Sequence, residues 1–126
     1  MDILGIGVDI VEIGRMERLL TRHGARFPRR ILSDQEQRDF QDSAHPAAFL
    51  AKRFAAKEAV SKAMGTGFRD GMFLNDIGVG HDDLGRPLVE LGGVAASRAR
   101  SLGIREWHIS LADERDMAIA YVMAMG

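Results

Sequence analysis

With 126 residues, 28% of them charged and 46% hydrophobic, the chain has the length of one domain, and its composition excludes both disorder and a two-domain architecture. It has no Cys, which excludes disulfides and thiolate metal sites and fits a reducing cytoplasm. A net charge of −1 supplies no global field to draw in nucleic acid.

No apolar run reaches the roughly 18 residues that a membrane helix needs. Met1-Asp2-Ile3 opens a strand pattern with no basic leader before it, so no signal peptide is expected. Residues 3–10 alternate: Leu4, Ile6, Val8 and Ile10 form an apolar face, and Ile3, Gly5, Gly7 and Asp9 form the other. Glycine in a strand marks close approach of a ligand or of another backbone. Asp9 ends that bare face, either as a cap for the next helix or as a ligand.

A helix is predicted over about 12–23, stopped by Gly24. Arg15, Arg18, Arg22, Arg26 and Arg29 recur at three- and four-residue steps and would line one continuous edge. Met16, Leu19 and Leu20 would face the core, with Phe27 at the rim. Such a run reads as a solvated face, an RNA patch or a row of forked cations for carboxylates on another protein. The RNA reading lacks interleaved aromatics and an RNP-like strand.

Ser33-Asp34-Gln35-Glu36 is a capping box opening a short helix to about Asp42. Pro46 suits the first turn of a long helix ending near Met64. All three lysines of the chain, Lys52, Lys57 and Lys62, fall in that helix. Glu58 and Lys62 lie about 40° apart on one face, with Ala47, Ala51 and Ala55 on the same arc. This is an ordinary surface ion pair, or a carboxylate and an ammonium over an alanine floor with room for a ligand. Arg53 lies about 140° around the helix from Glu58.

Gly65-Thr66-Gly67-Phe68-Arg69-Asp70-Gly71 is a glycine-rich loop. Strands are predicted around 77–81 and 88–91, joined by a turn over 82–87, then a helix over 94–102 ended by Gly103. Residues 107–112 and 117–122 alternate at period two and form a second hairpin around Asp113-Glu114-Arg115-Asp116. Trp107 would pack; His108 lies on the polar face with Ser110 and Ala112. Strand, helices, hairpin, helix and hairpin make a mixed α+β domain spanning 1–126.

Asp9 and Glu58, if they converge, are hard oxygen ligands suited to Mg2+. Lys62 would offer a point charge to a phosphate, and the loop from Gly65 would let backbone approach it. No Walker-type motif is present.

Three pieces together resemble the small bacterial 4′-phosphopantetheinyl transferases, the holo-[acyl-carrier-protein] synthase family. They are Gly7-Val8-Asp9-Ile10-Val11-Glu12, Phe54-Ala55-Ala56-Lys57-Glu58-Ala59 and Lys62-Ala63-Met64-Gly65-Thr66-Gly67. Leu84-Gly85-Arg86-Pro87 and His108-Ile109-Ser110-Leu111 match later motifs, so the likeness runs end to end.

The resemblance implies a fold of an N-terminal strand, several helices and two β-hairpins in a mostly antiparallel sheet. It implies transfer of the phosphopantetheine arm of coenzyme A to a serine of apo acyl carrier protein, with release of 3′,5′-ADP, in cytoplasmic fatty acid biosynthesis. Asp9 and Glu58 would hold Mg2+, and Glu58 or a water it orients would take the serine proton. Lys62 and Gly65 would meet phosphate, and Arg53 and His108 the 3′-phosphate. Gly85, Arg86 and Pro87 would lie along the adenosine, with a neighbouring subunit as one source. Arg15, Arg18, Arg22 and Arg26 would dock the acidic carrier protein in a salt-sensitive encounter. The family also implies a homotrimer with interfacial sites. The contrasting reading is a non-catalytic binding module for acidic helical proteins.

Overall fold

In the computed structural model, which describes residues 1–126, the chain begins with β1 (Ile3–Glu12), α1 (Ile13–His23), α2 (Arg26–Ile31), α3 (Asp34–Gln41) and α4 (Pro46–Met64). A single 3-10 turn (Leu74–Asp76) leads into β2 (Ile77–His81), β3 (Pro87–Leu91), α5 (Gly93–Ser101), β4 (Glu106–Glu114) and β5 (Met117–Met125). The predicted element order holds. The strands form two antiparallel sheets, one of three strands ordered β1-β5-β4 and one of two, β2-β3.

α2 is the element the sequence pattern does not predict. Gly24 adopts φ +58° and ends α1, so the arginines do not form one continuous helical edge. Arg15, Arg18 and Arg22 stand on α1; Arg26 and Arg29 stand on the separate turn of α2.

α4 is the centre of the molecule. Eleven of its 19 residues are buried, and they do not share one face. The three-stranded sheet covers one side, while α1, α3 and β2 pack elsewhere around it. A helix enclosed in this way needs no polar stripe. Its alanines are what let neighbours approach. Ala51 and Ala55 are fully buried, so the alanine floor predicted to leave room for a ligand is filled by core packing.

β1 lies backbone to backbone on α4. A Cβ added at Gly5 would stand 1.9 Å from the Ala63 carbonyl oxygen, and one at Gly7 would stand 1.9 Å from that of Ala59. The glycines therefore clear space for a helix, not for a ligand. Asp9, two residues further along the same face, is carried to the side of α4.

The other face of the three-stranded sheet is uncovered. Ile6 is 58% exposed, Val8 49% and Ile10 58%. The register sets Val8 beside Tyr121 and Ile10 beside Ile119, and then Tyr121 beside Ser110 and Met123 beside His108. An apolar field thus runs across β1 and β5 to the polar edge of β4.

Ser33 and Glu36 form the predicted capping box, but Glu36 does more than cap. It is fully buried. Its Oε1 accepts from the Ser33 N–H and from Lys57 Nζ at 2.5 Å, and its Oε2 accepts from the Val79 N–H at 3.0 Å. Lys57 Nζ also donates to the Ile77 carbonyl. One buried ion pair therefore joins α3, α4 and β2.

Gly7→Ala forces a Cβ against a helix carbonyl that cannot swing aside. It is expected to lower unfolding stability by about 3 kcal/mol, read as a lower urea midpoint at unchanged slope.

Candidate active site

The close approach of β1 to α4 assembles three of the predicted residues. Lys62 Nζ donates to Asp9 Oδ1 at 2.9 Å and to the Val8 carbonyl at 3.0 Å. Glu58 stands one turn before Lys62 and is half-buried. Burial pushes its carboxyl above the usual value, the Asp9 carboxylate pushes it further, and Lys62 and Arg15 pull it back. Asp9, Lys62 and Arg15 are therefore within electrostatic reach of Glu58. The Glu58 carboxylate accepts no hydrogen bond from the protein, although Ser61 Oγ donates to its main-chain carbonyl.

Two hard oxygen donors stand together here, and no group of three or more His, Cys, Asp or Glu side chains gathers anywhere in the chain. That donor set fits Mg2+, which is commonly held by one or two carboxylates with waters and substrate phosphates completing the shell. It does not fit a structural zinc site. Gly65, at φ +76°, ends α4 one turn beyond Lys62 and opens the glycine-rich loop.

A second group lies around the helix. Arg53 is 5% exposed, stacks its guanidinium 4.4 Å from the Phe49 ring centre and stands 3.6 Å from Glu36 Oε2. Its Nε has no hydrogen-bond partner. Burial lowers its pKa, and Glu36 and Asp39 oppose the shift. Arg53 also lines a cavity of about 380 Å³ with Lys52, His45, His81, Gly85 and Pro87. Glu36 is thus shared between two cations, Lys57 and Arg53, while Lys52 pairs at 3.0 Å with Asp113, which lines the same space.

Gly85 and Pro87 are therefore brought together with Arg53. Arg86 is not: its N–H and its Nε both donate to the Asp82 carboxylate, at 2.9 and 3.2 Å, and it staples the hairpin turn. His108 stands on the uncovered sheet face, 3.1 Å from Glu106, away from both groups. Neither Asp9 nor Glu58 lines the Arg53 cavity. Lys52 and the two histidines carry no motif signal, because only folding sets them beside the β2–β3 turn.

Arg15, on α1, lies over the Phe54 ring at 5.2 Å, and Arg18 pairs with Glu12 at 3.2 Å. Arg26 joins Arg29 and Arg30 around a groove of about 670 Å³ whose apolar wall is Leu19, Phe27, Phe54 and Leu74. Arg22 remains exposed on α1.

A family model described as the 4′-phosphopantetheinyl transferase superfamily matches residues 5–122, nearly the whole chain. The chain belongs to this superfamily. A similar relative is the holo-[acyl-carrier-protein] synthase of Halorhodospira halophila, 54% identical over 121 residues and covering 96% of each chain. Among solved structures, the holo-[acyl-carrier-protein] synthase of Neisseria meningitidis superposes with a TM-score of 0.93 at 42% identity, covering 99% of this chain and 100% of that one. That of Helicobacter pylori, solved in complex with coenzyme A, superposes with a TM-score of 0.83 at 30% identity, covering 95% and 99%. The superfamily match spans β1 and α4, so the Asp9, Glu58 and Lys62 cluster lies within it.

Asp9→Asn removes the like charge beside Glu58. The Glu58 carboxyl should then titrate at lower pH than in the parent protein, yet still above an ordinary glutamate, because burial is the larger cause. NMR titration of the Glu58 side chain measures this.

Proposed function

We propose that the chain transfers the 4′-phosphopantetheine arm of coenzyme A to a serine hydroxyl of apo acyl carrier protein and releases 3′,5′-ADP. The observation that carries this reading is the meeting of Asp9, Glu58 and Lys62 at one end of the β1–α4 contact. The names of the relatives and the coenzyme A complex of the Helicobacter pylori protein support it. Residues 1–126 act as one domain in this reading. No helix is long and apolar enough to cross a membrane, and we assign the enzyme to the cytoplasm and to fatty acid biosynthesis.

The chemistry is an exchange at one phosphorus. The serine oxygen forms a bond to it, and the bond to the nucleotide phosphate oxygen breaks. The serine proton must go to a base. Glu58 suits this work: its carboxyl is raised toward the working pH and is not engaged by any donor of the protein. Lys62, now on Asp9, would turn to a phosphate oxygen and hold its charge in place. Asp9 and Glu58 would hold Mg2+, which supplies charge neutralisation at the pyrophosphate when bound.

Arg53 and Lys52 on the wall of this cavity suit a phosphate monoester, and Gly85 and Pro87 offer a small, flat wall for an adenosine. These groups and Asp9–Glu58 lie on different sides of α4. A homotrimer closed through the uncovered sheet face would resolve this, since His108 and the β2–β3 turn of one subunit could then serve the site of another. The apolar field over Ile6, Val8, Ile10, Ile119 and Tyr121 supports such burial.

The carrier protein would meet Arg15, Arg18 and Arg22 on α1 and Arg26 on α2. The groove walled by Leu19, Phe27 and Phe54 and rimmed by Arg26, Arg29 and Arg30 suits an acidic helix carrying an apolar knob. A non-catalytic binding module would use the same arginines but has no use for the Asp9, Glu58 and Lys62 cluster.

Mass spectrometry of apo acyl carrier protein after incubation with coenzyme A and Mg2+ should show the mass gain of one phosphopantetheine arm. No gain under conditions where a control enzyme works would refute the reading. Glu58→Gln should stay folded and lose at least about 100-fold in turnover. In the metal-free parent protein the Glu58 carboxyl should titrate above the ordinary glutamate value, and added Mg2+ should draw that titration down, as followed by NMR of the Glu58 side chain.

Tyr121→Asp places a charge in the apolar field. Light scattering should report subunits where the parent protein is a trimer, with transfer lost in parallel.

A further inference from the structure

The loop that follows Lys62 is held by one side chain outside it. Gly65, Gly67 and Gly71 all have positive φ, as does Asp70, so the segment follows no regular backbone path. Its internal bonding is sparse: the Met72 N–H donates to the Arg69 carbonyl, and Gly65 closes the helix end. Thr66 Oγ1 also donates to the Gly67 carbonyl at 3.5 Å, and Arg98, on α5, supplies the side-chain ties from outside the loop. Its Nη1 donates to Thr66 Oγ1 and to the Gly67 carbonyl, both at 3.1 Å, and lies 3.5 Å from Met72 Sδ. Its Nη2 donates to the Arg69 carbonyl at 2.6 Å.

Two consequences follow from that fork. The carbonyls of Gly67 and Arg69 are drawn toward α5, while the N–H groups of Thr66 through Gly71 donate to nothing within the protein. Arg98 forms no ion pair with a carboxylate, so its donors are spent on the loop. A loop with its acceptors engaged and its donors open suits a ligand rich in acceptor oxygens.

We propose that Arg98 is a positioning residue for coenzyme A: by pinning the Gly67 and Arg69 carbonyls it fixes the glycine-rich loop with its amide donors open to the oxygens of that substrate. The inference rests on the transferase reading above. Arg98 does not touch the reacting atoms. A lysine in its place keeps the charge but lacks the two-armed fork that reaches both carbonyls.

The test joins a structural and a kinetic readout on the full chain. Arg69 lies in the loop and offers trypsin a cleavage site, and nicking after Arg69 under native conditions can be followed by mass spectrometry. Arg98→Ala and Arg98→Lys should both be nicked faster than the parent protein. Their KM for coenzyme A should rise about tenfold, with kcat within about twofold and the KM for carrier protein unchanged. Free guanidinium ion should restore part of both effects in Arg98→Ala. If Arg98→Ala does not fold, Arg98→Lys carries the test.

Parent-like KM for coenzyme A in a folded variant overturns the proposal, whatever the nicking rate. An equal rise in KM for both substrates also overturns it, since general loosening would do that. A parent protein that neither binds nor transfers coenzyme A overturns the transferase reading itself. An active parent with an unaffected Arg98→Lys variant overturns only this inference.

Discussion

The contact between β1 and α4 is the constraint on which the other features depend. A strand cannot lie on a helix at backbone distance if either carries a large side chain at the crossing. Gly5 and Gly7 remove the strand side chains, and Ala59 and Ala63 keep the helix side small. The result is a close crossing whose far end projects Asp9 toward Lys62 and Glu58. Were the strand held further off, water would part Asp9 from Glu58 and Lys62, which share α4.

A second anchor keeps α4 from turning about its own axis. Lys57 and Glu36 are both fully buried, and their ion pair also binds the Ile77 carbonyl and the Val79 N–H. Burying such charges costs desolvation energy that good geometry only partly offsets. The structural return is rotational: Lys57 pointing at β2 dictates that its neighbour Glu58 points toward β1. The same carboxylate stands 3.6 Å from Arg53 Nε, so it serves a second buried cation without a hydrogen bond to that nitrogen. One fold feature thereby orders both the carboxylate pair on one side of the helix and the Arg53 cavity on the other.

Those two sides do not meet within one chain; the proposed trimer would join them through the uncovered sheet face. Its exposed residues are apolar along β1 and β5 but polar along β4, where His108 stands. A patch of this kind has the anatomy of an interface with an apolar centre and a polar rim. The arginines on α1 and α2 lie on other elements, so a partner protein and a second subunit need not compete.

Much of the local structure was legible in the sequence. Period-two alternation gave the strands, the Ser33–Glu36 box and Pro46 gave two helix starts, and Gly24, Gly65 and Gly103 gave three ends; these are short-range signals that the backbone itself enforces. The motifs around Asp9 and Glu58 pointed to the family and its chemistry. Three things were not legible. The alanines beside Glu58 look identical on a helical projection whether they line a cavity or a core, and only packing filled that space. Arg53, His81 and Gly85 are remote in sequence and meet because β2–β3 folds back beside α4. Arg98 and the glycine-rich loop are about thirty residues apart in the chain and share no periodicity, yet four contacts bind them. The sequence by itself determined which segments are strands and helices and which residue types are available for phosphate chemistry, because those follow from propensity, capping and motif. The tertiary structure alone decided which of them face one another, because that depends on how closely two backbones approach and where buried charges find their partners.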